Sequence, residues 1–301
     1  CRQSSALAAV CHDRFTYSSR RDRTAVLSKS QQGSGVWGCM ALVTIEYDDC
    51  SGPKLPAQMG VALKGLRPGA PLCVLVHGYI LANPWERDCP DTHIFAPPPD
   101  NTANLGWPQR LGLAHDVGLA LSFRWNARGT LRAAYRQAAP AAVGLARLLA
   151  ALEQIAPNHP VTLIGHSLGA RVVMRALEGL SARSVSNVIL LHAVIPRSEA
   201  ERAAQSPAAQ GCEILNVTSH GNILFDIGAG ILVGGGLNGL FRCGLRAALP
   251  HWINLQIDRA PTRAALAALG HHLAPPDRLI CHYGAYTRPG ILDVYAALIK
   301  G

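Results

Sequence analysis

The stretch Val161-Thr162-Leu163-Ile164-Gly165-His166-Ser167-Leu168-Gly169-Ala170 runs from an apolar segment into a serine flanked by glycines, and from there into a helical pattern. Val161 to Ile164 reads as an apolar strand that runs straight into Gly165. Beyond the serine, Val173, Ala176, Leu177 and Leu180 follow the i, i+3, i+4, i+7 spacing of a buried helical stripe. A G-x-S-x-G string alone is weak evidence, but between a strand and a helix it has the context of a nucleophile elbow. That turn places the serine in a strained backbone conformation, where a neighbouring Cβ would clash, so the flanking glycines have a physical reason. Ser167 is therefore the candidate nucleophile. The N–H of Leu168, free at the start of the helix, is a candidate oxyanion donor.

Working outward, Leu72-Cys73-Val74-Leu75-Val76 is a second continuously apolar strand, and it ends in His77-Gly78-Tyr79. In an elbow architecture a second oxyanion N–H comes from the loop after such a strand, which selects Tyr79. His77, at a strand end beside glycine, reads as structural rather than as the general base. Further strands are predicted at Gly38 to Glu46, Leu119 to Trp125, Asn187 to Ile195, Glu213 to Thr218 and Trp252 to Ile257. Helices are predicted at Leu131 to Ile155 and Ile291 to Ile299. Within the first, Pro140 should kink the helix or mark its true start. Alternating strands and helices imply an α/β protein, a mostly parallel sheet with helices on both faces. Ligands in such sheets gather at the carboxyl ends of the strands.

Residues 1–35 read as an irregular polar arm and 36–301 as one domain, interrupted by a loop insertion at about 79–110 that is rich in Pro, Asn and Asp. Trp85, Phe95 and Trp107 in that insertion either pack the loop or line an apolar substrate pocket; Trp85 and Trp107, with His166, are the candidate substrate contacts. With 301 residues, 49% hydrophobic and 16% charged, the chain can bury a sizeable core without metals or disulfides. The net charge of +9 comes mainly from 24 Arg, which are dispersed, so no nucleic-acid partner is expected. Nine Cys is an odd number and no C-x-x-C pair occurs, which argues against a structural zinc site; Cys73 reads as a buried small hydrophobe. Gly234, Gly236 and Gly239 match a dinucleotide-binding pattern but follow no strand. The apolar run Ile223 to Phe241 holds Asp226, Asn238 and six glycines, a poor membrane span. A soluble protein is expected, with the cytoplasm as one setting and secretion or lipid anchoring through Cys1 as the other.

Leu75-Val76-His77-Gly78-Tyr79, Phe123-Arg124-Trp125-Asn126-Ala127-Arg128-Gly129, Tyr135 and Leu163 to Ala170 occur in the order and spacing of bacterial α/β-hydrolases. Over about residues 70–300 the chain resembles a lipase- and esterase-like branch of that superfamily. The resemblance implies the α/β-hydrolase fold, a Ser-acid-His order and hydrolysis of an ester or related acyl bond of a small-molecule or lipid-like substrate, with no metal or organic cofactor. It implies His282, in Cys281-His282-Tyr283-Gly284, as the general base, with His271 and His272 as alternatives. Relatives carry the acid near positions 222 and 223, where this chain has Asn222 and Ile223. Asp226 is the acid selected, with Asn222 as a weaker orienting group and Asp258 as a third option; His220 reads as a loop residue. Rival readings are an acyltransferase or amidase on the same residues, or a non-catalytic ligand-binding protein of this fold.

Overall fold

The computed structural model describes residues 42–79, 94–95, 106–113, 116–233 and 244–301. The expected N-terminal arm, most of the loop insertion with Trp85, and the 234–239 glycines lie outside the described residues.

Eight strands form one sheet: β1 (Leu42–Asp48), β2 (Gly52–Lys54), β3 (Leu72–Val76), β4 (Leu119–Arg124), β5 (Val161–His166), β6 (Asn187–Leu191), β7 (Glu213–Thr218) and β8 (Trp252–Gln256). Their spatial order is β2-β1-β4-β3-β5-β6-β7-β8, and every neighbouring pair is parallel except β1 with β2. The strands β3, β4, β5 and β6 lack polar/apolar alternation because both their faces are covered. In β3, Leu72, Val74 and Val76 belong to the core on one face, Cys73 and Leu75 to the core on the other. Leu163 and Ile164 in β5 divide in the same way. Cys73 is fully buried, and burial pushes its thiol pKa up.

The helices are α1 (Ala57–Lys64), α2 (Trp107–Arg110), α3 (Leu131–Ile155), α4 (Leu168–Leu177), α5 (Arg197–Ala203), α6 (Pro207–Gln210), α7 (Ile223–Val233), α8 (Ala260–Ala268), α9 (Gly284–Thr287) and α10 (Ile291–Lys300). Residues of α3, α4, α5 and α6 fill one core; residues of α2, α8, α9 and α10 fill the other. Of the described helices, α3 alone is long and apolar enough to cross a membrane, but here Leu145, Leu148, Leu149 and Leu152 are buried in the core. It starts at Thr130, whose side chain accepts from Ala133 N–H, and continues past Pro140 without ending there. Pro140 thus does not mark its start; the proline carbonyl instead accepts from Tyr47 Oη at 2.8 Å, tying the helix to β1.

The layout concentrates chemistry at one place. The chain leaves β3, forms β4 on one side of it, and crosses to β5 on the other side, so the carboxyl ends of β3 and β5 flank the point where strand order reverses. Leu145→Ala, which empties a fully buried position of α3, should cost about 2–5 kcal/mol in urea unfolding. Val143→Ala, two residues away and 54% exposed, should stay within about 0.5 kcal/mol; equal losses would contradict this assignment of the buried face.

Candidate active site

Ser167 lies between β5 and α4 with φ 53° and ψ −118°. A non-glycine residue there carries strain of about 1–3 kcal/mol, which surrounding contacts must hold in place. Two hydrogen bonds to the β6 end do so: Ser167 N donates to Leu191 O at 2.9 Å, and Val194 N donates to Ser167 O at 3.0 Å. The glycines are dictated by close approach. A Cβ on Gly169 would sit 2.4 Å from Val76 O and 2.5 Å from His77 O, and one on Gly165 would sit 2.8 Å from Ala170 Cα. Gly78 faces the serine directly, 3.0 Å from Ser167 Cβ to where its own Cβ would be.

His282, in the loop before α9, presents Nδ1 to Asn222 Oδ1 at 2.6 Å. Asn222 closes a 3-10 turn (His220–Asn222) after β7, and its Nδ2 donates to Asp226 Oδ1, one helical turn on, at 2.8 Å. The second bond fixes the amide: Nδ2 faces the carboxylate, so Oδ1 faces the imidazole. An acceptor at Nδ1 makes Nδ1–H the donor and leaves the Nε2 lone pair free. The ring of His282 packs 4.8 Å from that of His166, the residue before Ser167, and 4.8 Å from Phe225. No hydrogen bond joins Ser167 Oγ to His282 among the described residues.

A family model described as alpha/beta hydrolase matches residues 125–212, the segment from the end of β4 through the serine turn to the residue before β7. The segment that carries the serine turn is thus similar to α/β-hydrolases, and the mostly parallel sheet covered on both faces has the α/β-hydrolase fold. Among solved structures, a metagenomic carboxyl esterase is similar at 13% identity, over 78% of this chain and 77% of the esterase, with a TM-score of 0.38. A cutinase from Trichoderma reesei, solved with a phosphonate inhibitor, is similar at 16% identity over 52% of this chain and 68% of the cutinase, TM-score 0.27. No curated protein matches the chain.

Within this α/β-hydrolase frame, the residues selected from sequence fall in different places. Asp226 does not contact His282 directly; Asn222 stands between them, because four residues from a 3-10 turn into a helix put the two side chains one behind the other. Asp258 is committed elsewhere, its Oδ2 accepting from His220 N at 2.6 Å and lying 2.9 Å from His220 Nδ1. His77 is a pin between strands: Trp125 N donates to its Nε2 at 3.3 Å and Trp125 Nε1 to its carbonyl at 3.0 Å. Tyr79 follows β3, and its hydroxyl donates to Gly129 O at 2.6 Å. Trp107 is buried, in edge contact with Phe95 and packed on Tyr286, whose ring in turn meets the edge of His166. His166 is itself buried, and both its ring nitrogens lack a hydrogen-bond partner among the described residues.

One residue of the candidate site has no counterpart in the sequence reading. His192, buried directly after β6, pairs through Nδ1 with the backbone carbonyl of His282 at 2.8 Å and through Nε2 with Ser219 Oγ at 2.9 Å, holding the main chain at His282. A polar residue ending an apolar strand was the available signal. Burial lowers the pKa of His192 and His282 to about 4, His192 adding a smaller repulsion at His282, and it holds His166 well below the usual range. All three are neutral at pH 7.

An unfolded chain protonates these rings below pH 6.5, whereas the folded chain keeps them neutral to about pH 4. Stability is therefore complete above pH 6.5 and falls as pH drops toward 4. Urea unfolding near pH 5 should take up about two to three protons at these sites, read from the slope of unfolding free energy against pH. A flat profile from pH 6.5 to 4.5 would contradict the buried, neutral cluster.

Proposed function

We propose that the protein is a serine hydrolase that cleaves a carboxylic ester through an acyl-enzyme. The observation that carries this reading is Ser167 at positive φ in a turn too tight for any Cβ at Gly165 or Gly169, with the ring of His282, whose Nδ1–H is already engaged, 4.8 Å from that of the preceding His166.

In the first step His282 Nε2 takes the proton of Ser167 Oγ as the oxygen bonds to the ester carbonyl carbon. The oxyanion is received by the N–H groups of Leu168 and Tyr79. Collapse breaks the ester C–O bond, and His282 returns the proton to the departing alcohol. Water then attacks the acyl-enzyme, with His282 again taking and returning one proton, and the carboxylic acid leaves. Burial keeps His282 neutral and so able to accept a proton at pH 7. The same burial makes imidazolium costly, and here the acid position matters. Asn222 Oδ1 contributes only a dipole to the charged ring. The negative charge sits one hydrogen bond further back, on Asp226, which orients the amide and acts on the imidazolium through it.

Hydrolysis of 4-nitrophenyl butyrate tests this assignment. Ser167→Ala and His282→Ala should each lower kcat/KM by about a thousand-fold or more. Asp226→Asn removes the charge and frees the amide to turn over, and should lower it roughly ten- to a hundred-fold. Asn222→Asp brings two carboxyls within hydrogen-bond distance, so one takes a proton and the other faces His282; activity should stay within about ten-fold of the parent. Turnover that persists in Ser167→Ala would contradict the proposal.

A further inference from the structure

We infer that the hydrolase acts on esters that carry an anionic group, a carboxylate or phosphate held by Arg110, Arg278 and Arg288 in a cavity beside the catalytic histidine. This rests on the ester-hydrolase reading above.

The cavity, about 570 Å³, lies at the carboxyl ends of β7 and β8, the edge of the sheet where ligands of such folds collect. That volume suits a ligand of several to some tens of atoms. Its wall includes Ser219, His220 and Gly221, the residues leading into Asn222, and Cys281, Tyr283 and Gly284, which flank His282. Tyr283 joins it to the site: the same ring lies 5.5 Å from that of His282 and 6.2 Å from that of His166. The cavity thus begins one side chain from the proposed base.

Three guanidiniums line it, from the end of α2 (Arg110), the loop after α8 (Arg278) and the residue after α9 (Arg288). None of the three forms an ion pair among the described residues. Two carboxylates also line the cavity. Asp258 is held by the N–H and ring of His220, and Asp277 lies outside ion-pair range of the arginines, so the balance of the wall is positive. Arg288 is the informative member. It is half-buried, donates Nη1 to Ile257 O at 2.8 Å, and has its pKa lowered by desolvation despite attraction from Asp258 and Asp277, with Arg263 adding repulsion. A half-desolvated cation without a bonded counter-ion is electrostatically unfavourable, and an incoming anion relieves that cost while forming charge-assisted hydrogen bonds. Planar carboxylate or phosphate oxygens match the guanidinium fork.

Two matched ester pairs test the inference: monomethyl glutarate against methyl pentanoate places the charge on the acyl side, and 4-acetoxybenzoate against 4-methylphenyl acetate places it on the alcohol side. In at least one pair the anionic ester should have the higher kcat/KM, by about ten-fold or more at low salt. That ratio should fall toward unity in the exposed-site double variant Arg110→Gln/Arg278→Gln and at high ionic strength. Calorimetry of glutarate and of inorganic phosphate with Ser167→Ala supplies a readout independent of turnover, and binding should weaken about ten-fold or more in the double variant. Turnover of neutral esters with no anionic preference in either pair would overturn this inference and leave the hydrolase reading intact. Loss of all ester turnover with arginine-dependent glutarate or phosphate binding retained would overturn the hydrolase reading and keep the anion site. Binding that ignores the arginine substitutions would overturn the site.

Discussion

The contact on which the rest depends is between helix α4 and the end of strand β3, where Gly169 lies so close to the carbonyl oxygens of Val76 and His77 that no side chain fits. With α4 held that close, the chain has room for only a very short turn out of β5, and Ser167 takes up the bend at positive φ. The same closeness brings Gly78 against the serine Cβ, so the loop after β3 meets Ser167. Packing behind the helix maintains it. Arg171 of α4 is buried, bonds Glu199 of α5 through both Nε and Nη2, and lies over the ring of Tyr135 of α3 at 3.7 Å. Tyr135 Oη completes the link to Glu199 at 2.9 Å. Removing one member of such a buried pair leaves an uncompensated charge, so the three helices behave as one support for the turn.

The other half of the site is governed by desolvation. Three imidazoles, His166, His192 and His282, cluster with Tyr286, and desolvation lowers the pKa of each. In the proposed mechanism neutrality suits the base but opposes the imidazolium it must become. In that proposal two linked groups stand in place of one carboxylate: Asn222, whose amide oxygen faces His282 Nδ1, and buried Asp226, which accepts from the same amide. His192 and Ser219 fix the loop from the other side, so the orientation of His282 is determined at both backbone and ring.

Much of this was legible in the linear sequence, for identifiable reasons. Strand β3 is a continuous apolar run, and β5 and β6 are mostly apolar, because both faces are covered, and α4 follows from Val173, Ala176 and Leu177 at helical spacing. The short helices α5, α6 and α9 were not legible; four to seven residues carry too little periodicity, and tertiary contacts decide them. Pro140 misled as a marker of the start of α3, since the loss of one N–H is tolerated inside a 25-residue helix anchored by a Thr cap and a buried leucine face. The exchange between Asn222 and Asp226 also had no local signature. Both residues are in the right loop, and only the 3-10 turn running into α7 determines which one reaches the histidine. Trp107 shows the same limit, because an aromatic residue in an insertion reads equally as pocket wall or as packing; in the structure it is buried against Phe95 and Tyr286.

The central claim is that this turn makes Ser167 a nucleophile, and a fluorophosphonate probe tests it directly. Incubation of the intact protein at pH 7.5, followed by peptide mass spectrometry, should find one covalent adduct, on Ser167, that is absent from Ser167→Ala. No adduct, or labelling at another residue that survives Ser167→Ala, would contradict the account.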